Sequence, residues 1–222
     1  MKVFSKIIGP LLLAVALLPL GAGAAAQQAG QTPEAPDALV KRISKEVLDA
    51  AKSDKEVQAG NQQRVLELVK QKILPYIDFQ RMTALAAGHY WRQATPEQKT
   101  RLTDEFRALL VYTYSGALSQ VRDQTLHFQP MRGDSSDNEV EVRSQVVRPR
   151  GGEPIQLNYR LEKVDGGWKI YDINVLGAWL VETYKGSFSS EISRGGIDGL
   201  IKTLSEKNKR LAGNFAKNGS SS

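Results

Sequence analysis

The sequence predicts an α+β domain in which a curved four-stranded antiparallel sheet packs against a helical subdomain. Three observations carry that prediction. Apolar residues recur at helical spacing from Leu39 to Val121, the period changes to two between Gln124 and Val175, and helical spacing returns from Leu176 to Leu211. Helices, then sheet, then helices is the order of an α+β chain, not of alternating βαβ units.

Residues 1–26 are set aside as a secretory signal peptide. Lys2 and Lys6 make a positive start, Ile7 to Leu20 is apolar, and Ala24-Ala25-Ala26 is a small-residue cleavage site. The apolar run falls short of the roughly 20 residues of a membrane span and carries Pro10 and Pro19. With no Cys in the chain, a lipid-bearing Cys, disulfides and thiol chemistry are all excluded. The expectation is a soluble, exported protein that relies on its core.

The formal charge of +6 falls to +4 without Lys2 and Lys6. Nucleic-acid binding calls for a concentrated Lys/Arg stripe with interleaved aromatics, and the sequence has none. A mild positive excess is read first as a solvated surface, with docking to an acidic partner or to anionic lipid headgroups as the alternative.

Residues 27–36, rich in Gln, Ala, Gly and Pro, form a flexible lead. The folded domain spans 37–212. Asp37 caps a first helix with the stripe Leu39, Val40, Ile43, Val47 and Ala50, which Gly60 and Asn61 break. A second helix carries Val65, Leu66, Leu68, Val69 and Ile73 and ends at Pro75. After a tight connection at Tyr76 to Phe79, a short helix carries Met82, Leu85, Ala86 and Tyr90. Thr95-Pro96-Glu97-Gln98 is a capping box with Pro at the first helical position. The long helix behind it repeats Leu102, Phe106, Leu109, Leu110, Thr113, Ala117 and Val121, with Arg101 and Glu105 spaced to pair.

Four strands follow. Leu126 and Phe128 alternate with polar neighbours in the first, and Val140, Val142 and Val146 in the second. Ile155, Leu157, Tyr159 and Leu161 share one face of the third; the fourth covers Trp168 to Val175 after the Asp165-Gly166-Gly167 turn. One wet face and short turns specify an antiparallel sheet packed on one side. Gly195-Gly196 interrupts the final helical stretch, and residues 213–222 form a disordered tail.

Groups for chemistry are few. His89 and His127 are the only histidines, and no HExxH or other close ligand spacing exists to hold a metal. Ser115-Gly116 lacks the preceding Gly of a nucleophile elbow. Gly195, Gly196 and Gly199 follow no strand of a βαβ unit, which excludes a dinucleotide fingerprint. Asp78 and Asp172, flanked by apolar residues, are the carboxylates suited to partial burial. Burial raises a carboxyl pKa toward that of a general base, whereas a structural Asp accepts backbone hydrogen bonds or pairs with an Arg. Tyr112, Tyr114 and Tyr159 suit either a pocket wall or a core with hydroxyls at its rim. Apolar stripes alone do not separate a filled core from one opened into a cavity. Small residues nevertheless cluster at Ala84, Ala86, Ala87, Gly88, Ala117 and Ala178.

Four pieces, in order, carry a resemblance: ILPYIDFQRM, then HYWRQATPEQ with FRALLVYTY, then GWKIYDINVLGAWL, then GGIDGLIKTL. From about Ile43 to Leu204 the chain resembles the MlaC, or toluene-tolerance, family of periplasmic phospholipid carriers. The resemblance implies a sheet and helical subdomain that enclose an apolar lipid tunnel, with acyl chains inside and the headgroup near solvent. It implies no catalysis, no cofactor and a phospholipid cargo. It also implies two partners: an inner-membrane ABC lipid transporter with its substrate-binding domain, and an outer-membrane lipoprotein–porin complex. Together they maintain outer-membrane lipid asymmetry. On that reading the tunnel is lined by Val140, Val142, Val146, Leu157 and Tyr159 from the sheet and by Leu109, Leu110, Thr113 and Ala117 from the long helix. Many relatives read Glu-Gly-Val-Ser where this chain has Leu176-Gly177-Ala178-Trp179. That change is expected to alter the width or polarity of the tunnel mouth. Two other readings stand beside it: a small enzyme on a cone-like α+β scaffold with Asp78 or Asp172 as base, and an adaptor with a solid core that tethers envelope complexes through its basic surface.

Overall fold

The computed structural model describes residues 33–134, 136–149 and 151–219, so the expected signal peptide, most of the expected lead and residues 220–222 lie outside the described residues. Helix α1 spans Pro36–Ser53 and starts on Pro36, whose fixed φ suits the first helical position. Asp37 therefore sits in the first turn and not at the cap, where it binds Lys41 Nζ at 2.8 Å. Leu39, Val40, Ile43, Val47 and Ala51 form its buried stripe.

The short α2, Lys55–Gln58, ends at Gly60, whose φ of 83° turns the chain into α3, Gln62–Lys72. A 3-10 turn over Leu74–Tyr76 accommodates Pro75. Helix α4, Phe79–Ala87, then starts on Asp78, whose carboxylate accepts the Arg81 N–H at 2.8 Å. Helix α5, Pro96–Tyr114, opens with the expected capping box: Thr95 Oγ1 accepts from Gln98 N–H and Gln98 Oε1 from Thr95 N–H. It stops earlier than its stripe suggests, because Ser115–Gln120 tightens into a 3-10 helix, so Ala117 and Val121 lie beyond α5. Glu105 Oε2 accepts from Asn208 Nδ2 at 2.7 Å in place of the expected pairing with Arg101.

The sheet has six strands where the sequence predicts four, all named pairs being antiparallel. They are β1 Thr125–Phe128, β2 Glu139–Val142, β3 Ser144–Val147, β4 Ile155–Val164, β5 Gly167–Val175 and β6 Ala178–Trp179. The expected second strand divides at Arg143 into β2 and β3. There the Ser144 N–H is accepted by the side chain of Asn158 at 3.2 Å, and the main-chain ladder to β4 is interrupted. The sixth strand is two residues that fold back on the end of β5 through the Leu176-Gly177 turn.

A bulge in β5 has larger consequences. Leu161 pairs with Ile170 and Arg160 with Asp172, which leaves Tyr171 as the extra residue. Alternation therefore reverses at Tyr171. Trp168 and Ile170 share a face with Leu161 and Tyr159, and beyond the bulge that face is continued by Ile173 and Val175. Asp172 and Asn174 turn to the opposite face, beside Arg160 and Asn158.

Helix α6, Leu180–Gly219, is two helical segments joined at Gly196, whose φ of 67° and ψ of −174° break the helix where Gly195-Gly196 predicts. The helix continues past residue 212, where the sequence suggests a loose tail, and the Phe215 ring packs edge-on against Tyr112 of α5 with centroids 5.5 Å apart. Among the described residues no helix is long and apolar enough to cross a membrane.

Candidate functional site

Apolar side chains gather into two large clusters. In one, α1 supplies Leu39, Val40, Ile43 and Val47 to the sheet residues Val140, Val142, Tyr159, Leu161, Trp168 and Ile170. In the other, Phe79, Met82 and Ala86 of α4 pack on Phe106, Leu109 and Leu110 of α5 and on Phe188, Leu200 and Ile201 of α6. Phe106 anchors it, edge-on to Tyr184 and Phe188 with centroids 5.0 and 4.9 Å away. Ile77 and Ile173 are only half buried, and each packs against both clusters. They mark an apolar seam between the concave face of the sheet and the α4–α5–α6 layer.

The residues expected to line a tunnel divide along this seam. Val140, Val142 and Tyr159 are buried in the sheet cluster, and Leu157 is half buried against it. Val146 is half buried on the same face, opposite Ile155 of β4. Leu109 and Leu110 are buried in the helical cluster. Thr113 and Ala117 are exposed, and the Thr113 hydroxyl donates to Leu109 C=O at 2.6 Å. Sheet and helix residues thus face each other through Ile77 and Ile173 and do not form one cluster. Sequence reasoning missed both bridging residues, and with them Leu74, Val175 and Tyr184, which are half buried against the helical cluster. Only the bulge brings Ile173 and Val175 to the concave face, and a strict period of two from Trp168 assigns them to the wet one.

Each cluster carries a tyrosine hydroxyl, Tyr184 against the helical one and Tyr159 in the sheet one. Burial pushes the Tyr184 phenol up to about 12, with Tyr114 beside it adding to the shift. The Tyr159 phenol is raised by burial as well, against hydrogen bonds with Ser44 and Ser144. Both remain neutral donors at ordinary pH.

Each candidate base has a structural partner. Asp78 caps α4. Asp172 is 1% exposed, and its Oδ1 accepts the N–H groups of Ile173 at 2.9 Å and Val181 at 3.1 Å, which fixes the start of α6 on the sheet. Arg160 Nη1 reaches its Oδ2 at 3.4 Å. Desolvation still dominates, so the carboxyl lies above its usual range. His127 is exposed on the edge strand β1, and among the described residues no three acidic or His groups converge as for a metal ion.

Two hollows open elsewhere. One, of about 370 Å³, is lined wholly by polar and aromatic residues on the wet face of the sheet, among them Arg132, Arg143, Arg160, Asn158 and Trp179. Trp179 pairs with Asn174 and lies on that face, stacked on Arg160. Leu176, 72% exposed at φ 55°, forms the hairpin tip. These two residues therefore sit at the hairpin and on the wet face of the sheet, not on its concave face. The second hollow, of about 330 Å³, borders the seam at Leu74 and Ile77.

An antiparallel sheet whose concave face meets a helical layer across an apolar seam is the build of an α+β lipid-binding domain. It is shared by a phospholipid-binding protein from Ralstonia solanacearum solved in complex with a phospholipid. The two match with a TM-score of 0.75 at 48% identity, over 79% of this chain and 98% of that one. The profile of the family described as MlaC protein matches residues 41–206, and the chain belongs to this family. Among its relatives, the toluene tolerance protein ttg2D of Pseudomonas putida is 27% identical over 177 residues, 79% of this chain and 80% of that protein. The Haemophilus influenzae intermembrane phospholipid transport system binding protein MlaC is 24% identical over 141 residues, 63% of this chain and 66% of that protein.

Proposed function

We propose that this chain is a periplasmic phospholipid carrier. The observation that carries the reading is the seam at Ile77 and Ile173, where two apolar clusters meet without merging. Acyl chains that part the clusters there lie against Leu157, Tyr159 and Ile173 on the sheet side and Leu109 and Leu110 on the helix side, with Val140, Val142 and Val146 further along the sheet. Each methylene taken from water contributes about 0.8 kcal/mol, so affinity comes from the tails and needs few polar contacts. Thr113 and Ala117, both exposed, one near the end of α5 and the other in the 3-10 turn behind it, are left outside the two clusters.

In this reading no bond is made or broken. Lipid moves from donor to acceptor by relative affinity, between an inner-membrane ABC lipid transporter with its substrate-binding domain and an outer-membrane lipoprotein–porin complex. Support comes from family membership, from the phospholipid held by the Ralstonia relative, and from the backbone-capping roles of Asp78 and Asp172.

The deciding experiment is mass spectrometry of lipids extracted from the purified, detergent-free protein. Stoichiometric phospholipid is expected. A protein reproducibly lipid-free, and unable to load from phospholipid vesicles, overturns the carrier reading in favour of an adaptor with a solid core.

A further inference from the structure

The hollow beside Ile77 is amphiphilic in the way a phospholipid is. Its inner wall is Leu74, Ile77 and Phe79, and all three pack in the helical cluster, Ile77 in the sheet cluster as well. Its outer wall carries two cations from different elements, Arg107 of α5 and Lys169 of β5. Thr103 lines it as well, and its buried hydroxyl has no hydrogen-bond partner among the described residues. The acid in the hollow, Asp78, has its Oδ1 committed to the start of α4. Neither cation is held by a strong partner. Arg107 pairs with Asp104 at 2.7 Å on the exposed helix surface, where such pairs contribute little, and Lys169 donates to the Pro75 carbonyl.

We propose that this hollow seats the phosphodiester of the bound lipid, with Arg107 and Lys169 flanking the phosphate and the acyl chains running past Leu74 and Ile77 into the seam. This rests on the carrier reading and adds to it a headgroup requirement: one negative charge at the mouth, with little selection beyond it. A guanidinium and an ammonium at an open rim neutralise phosphate without enclosing what it carries. The hollow shares Ile77 with both apolar clusters and Leu74 with the helical one, which suits a lipid better than a free anion.

The test compares two lipids with identical acyl chains, phosphatidylglycerol and the uncharged diacylglycerol, loaded from vesicles onto the mature protein and onto Arg107→Gln, Lys169→Gln and the double variant. Circular dichroism and melting curves establish that each variant is folded. The expected result is phosphatidylglycerol binding about tenfold weaker for each single variant and about a hundredfold weaker for the double variant, with diacylglycerol unchanged, since a charged hydrogen bond is worth about one factor of ten. Arg107→Lys should retain most of the binding. Equal loss for both lipids, or none for phosphatidylglycerol, overturns the assignment. Inorganic phosphate and glycerol 3-phosphate, added in excess without lipid, should give no saturable binding; saturable binding of either means an anion site independent of the lipid and also overturns it. If the unmodified protein loads neither lipid, the carrier reading itself has failed. If it loads both and the variants match it, only the phosphate seat has.

Discussion

The Arg160 guanidinium lies 3.9 Å from the centre of the Trp179 ring while its Nη1 reaches Asp172 at 3.4 Å. One side chain thus joins β4, the β6 hairpin and the carboxylate on which α6 begins. A cation over an indole is worth about 0.5–1 kcal/mol when exposed and about 2 when desolvated. A double-mutant cycle of Arg160→Ala and Trp179→Ala, followed by urea unfolding, is expected to give a coupling of about 1 kcal/mol. Strict additivity would show that the stacking contributes nothing.

Asp172 sets a pH dependence of definite sign. Burial raises its carboxyl in the folded state, so the folded protein binds more protons than the unfolded chain between the ordinary and the raised value. Its contribution to stability is therefore largest below the ordinary carboxylate range and declines as pH rises to the folded value. Asp172→Asn keeps an Oδ1 acceptor for Ile173 and Val181 and removes the charge. Unfolding curves across this window should show the variant gaining on the parent as pH rises. Glu139 shifts the other way, held below its usual range by Arg81. A parent–variant difference that is flat with pH counts against the burial effect.

The seam makes Ile173 the position to fill. Ile173→Trp adds volume between the clusters, and overpacking costs about 1–3 kcal/mol, which a domain of this size tolerates. Co-purified phospholipid should fall severalfold while the cooperative melt persists, and Ile173→Ala should still load. Leu157→Arg should also lose lipid. Val142→Arg is the poorer probe, because at 1% exposure it buries an unpaired charge. Full loading by a folded Ile173→Trp protein would place the lipid elsewhere.

The two adjacent glycines of α6 should respond oppositely. At Gly196 a Cβ meets nothing within 4 Å, but φ is 67° with ψ of −174°, a conformation that is essentially glycine-only. Gly196→Ala is expected to lower stability by about 1–3 kcal/mol. Gly195, equally uncrowded and without a positive φ, should gain about 0.5–1 kcal/mol on Gly195→Ala. Thermal melts of the two single variants decide it.

Much of this protein is determined by local rules that the sequence carries on its face. Thr95, Pro96 and Gln98 meet within four residues, so their capping box is legible, as are the stripe of α1 and the break at Gly195-Gly196. The alternation of Val140 with Val142 and of Tyr159 with Leu161 likewise predicts their shared buried face. The tertiary structure decided what depends on partners far along the chain. Asn158 interrupts the ladder at Ser144, and the bulge at Tyr171 reverses the parity of β5. That reversal brings Ile173 to the concave face and sends Asp172 to the start of α6. A period of two survives in the sequence across a bulge only as a change of phase, and Tyr171, Ile173 and Val175 are apolar enough to hide it. The seam has the same origin. Helical spacing marks Leu109 and Val142 as inward-facing, but which cluster each enters is fixed by how the layers pack, and no local pattern encodes that.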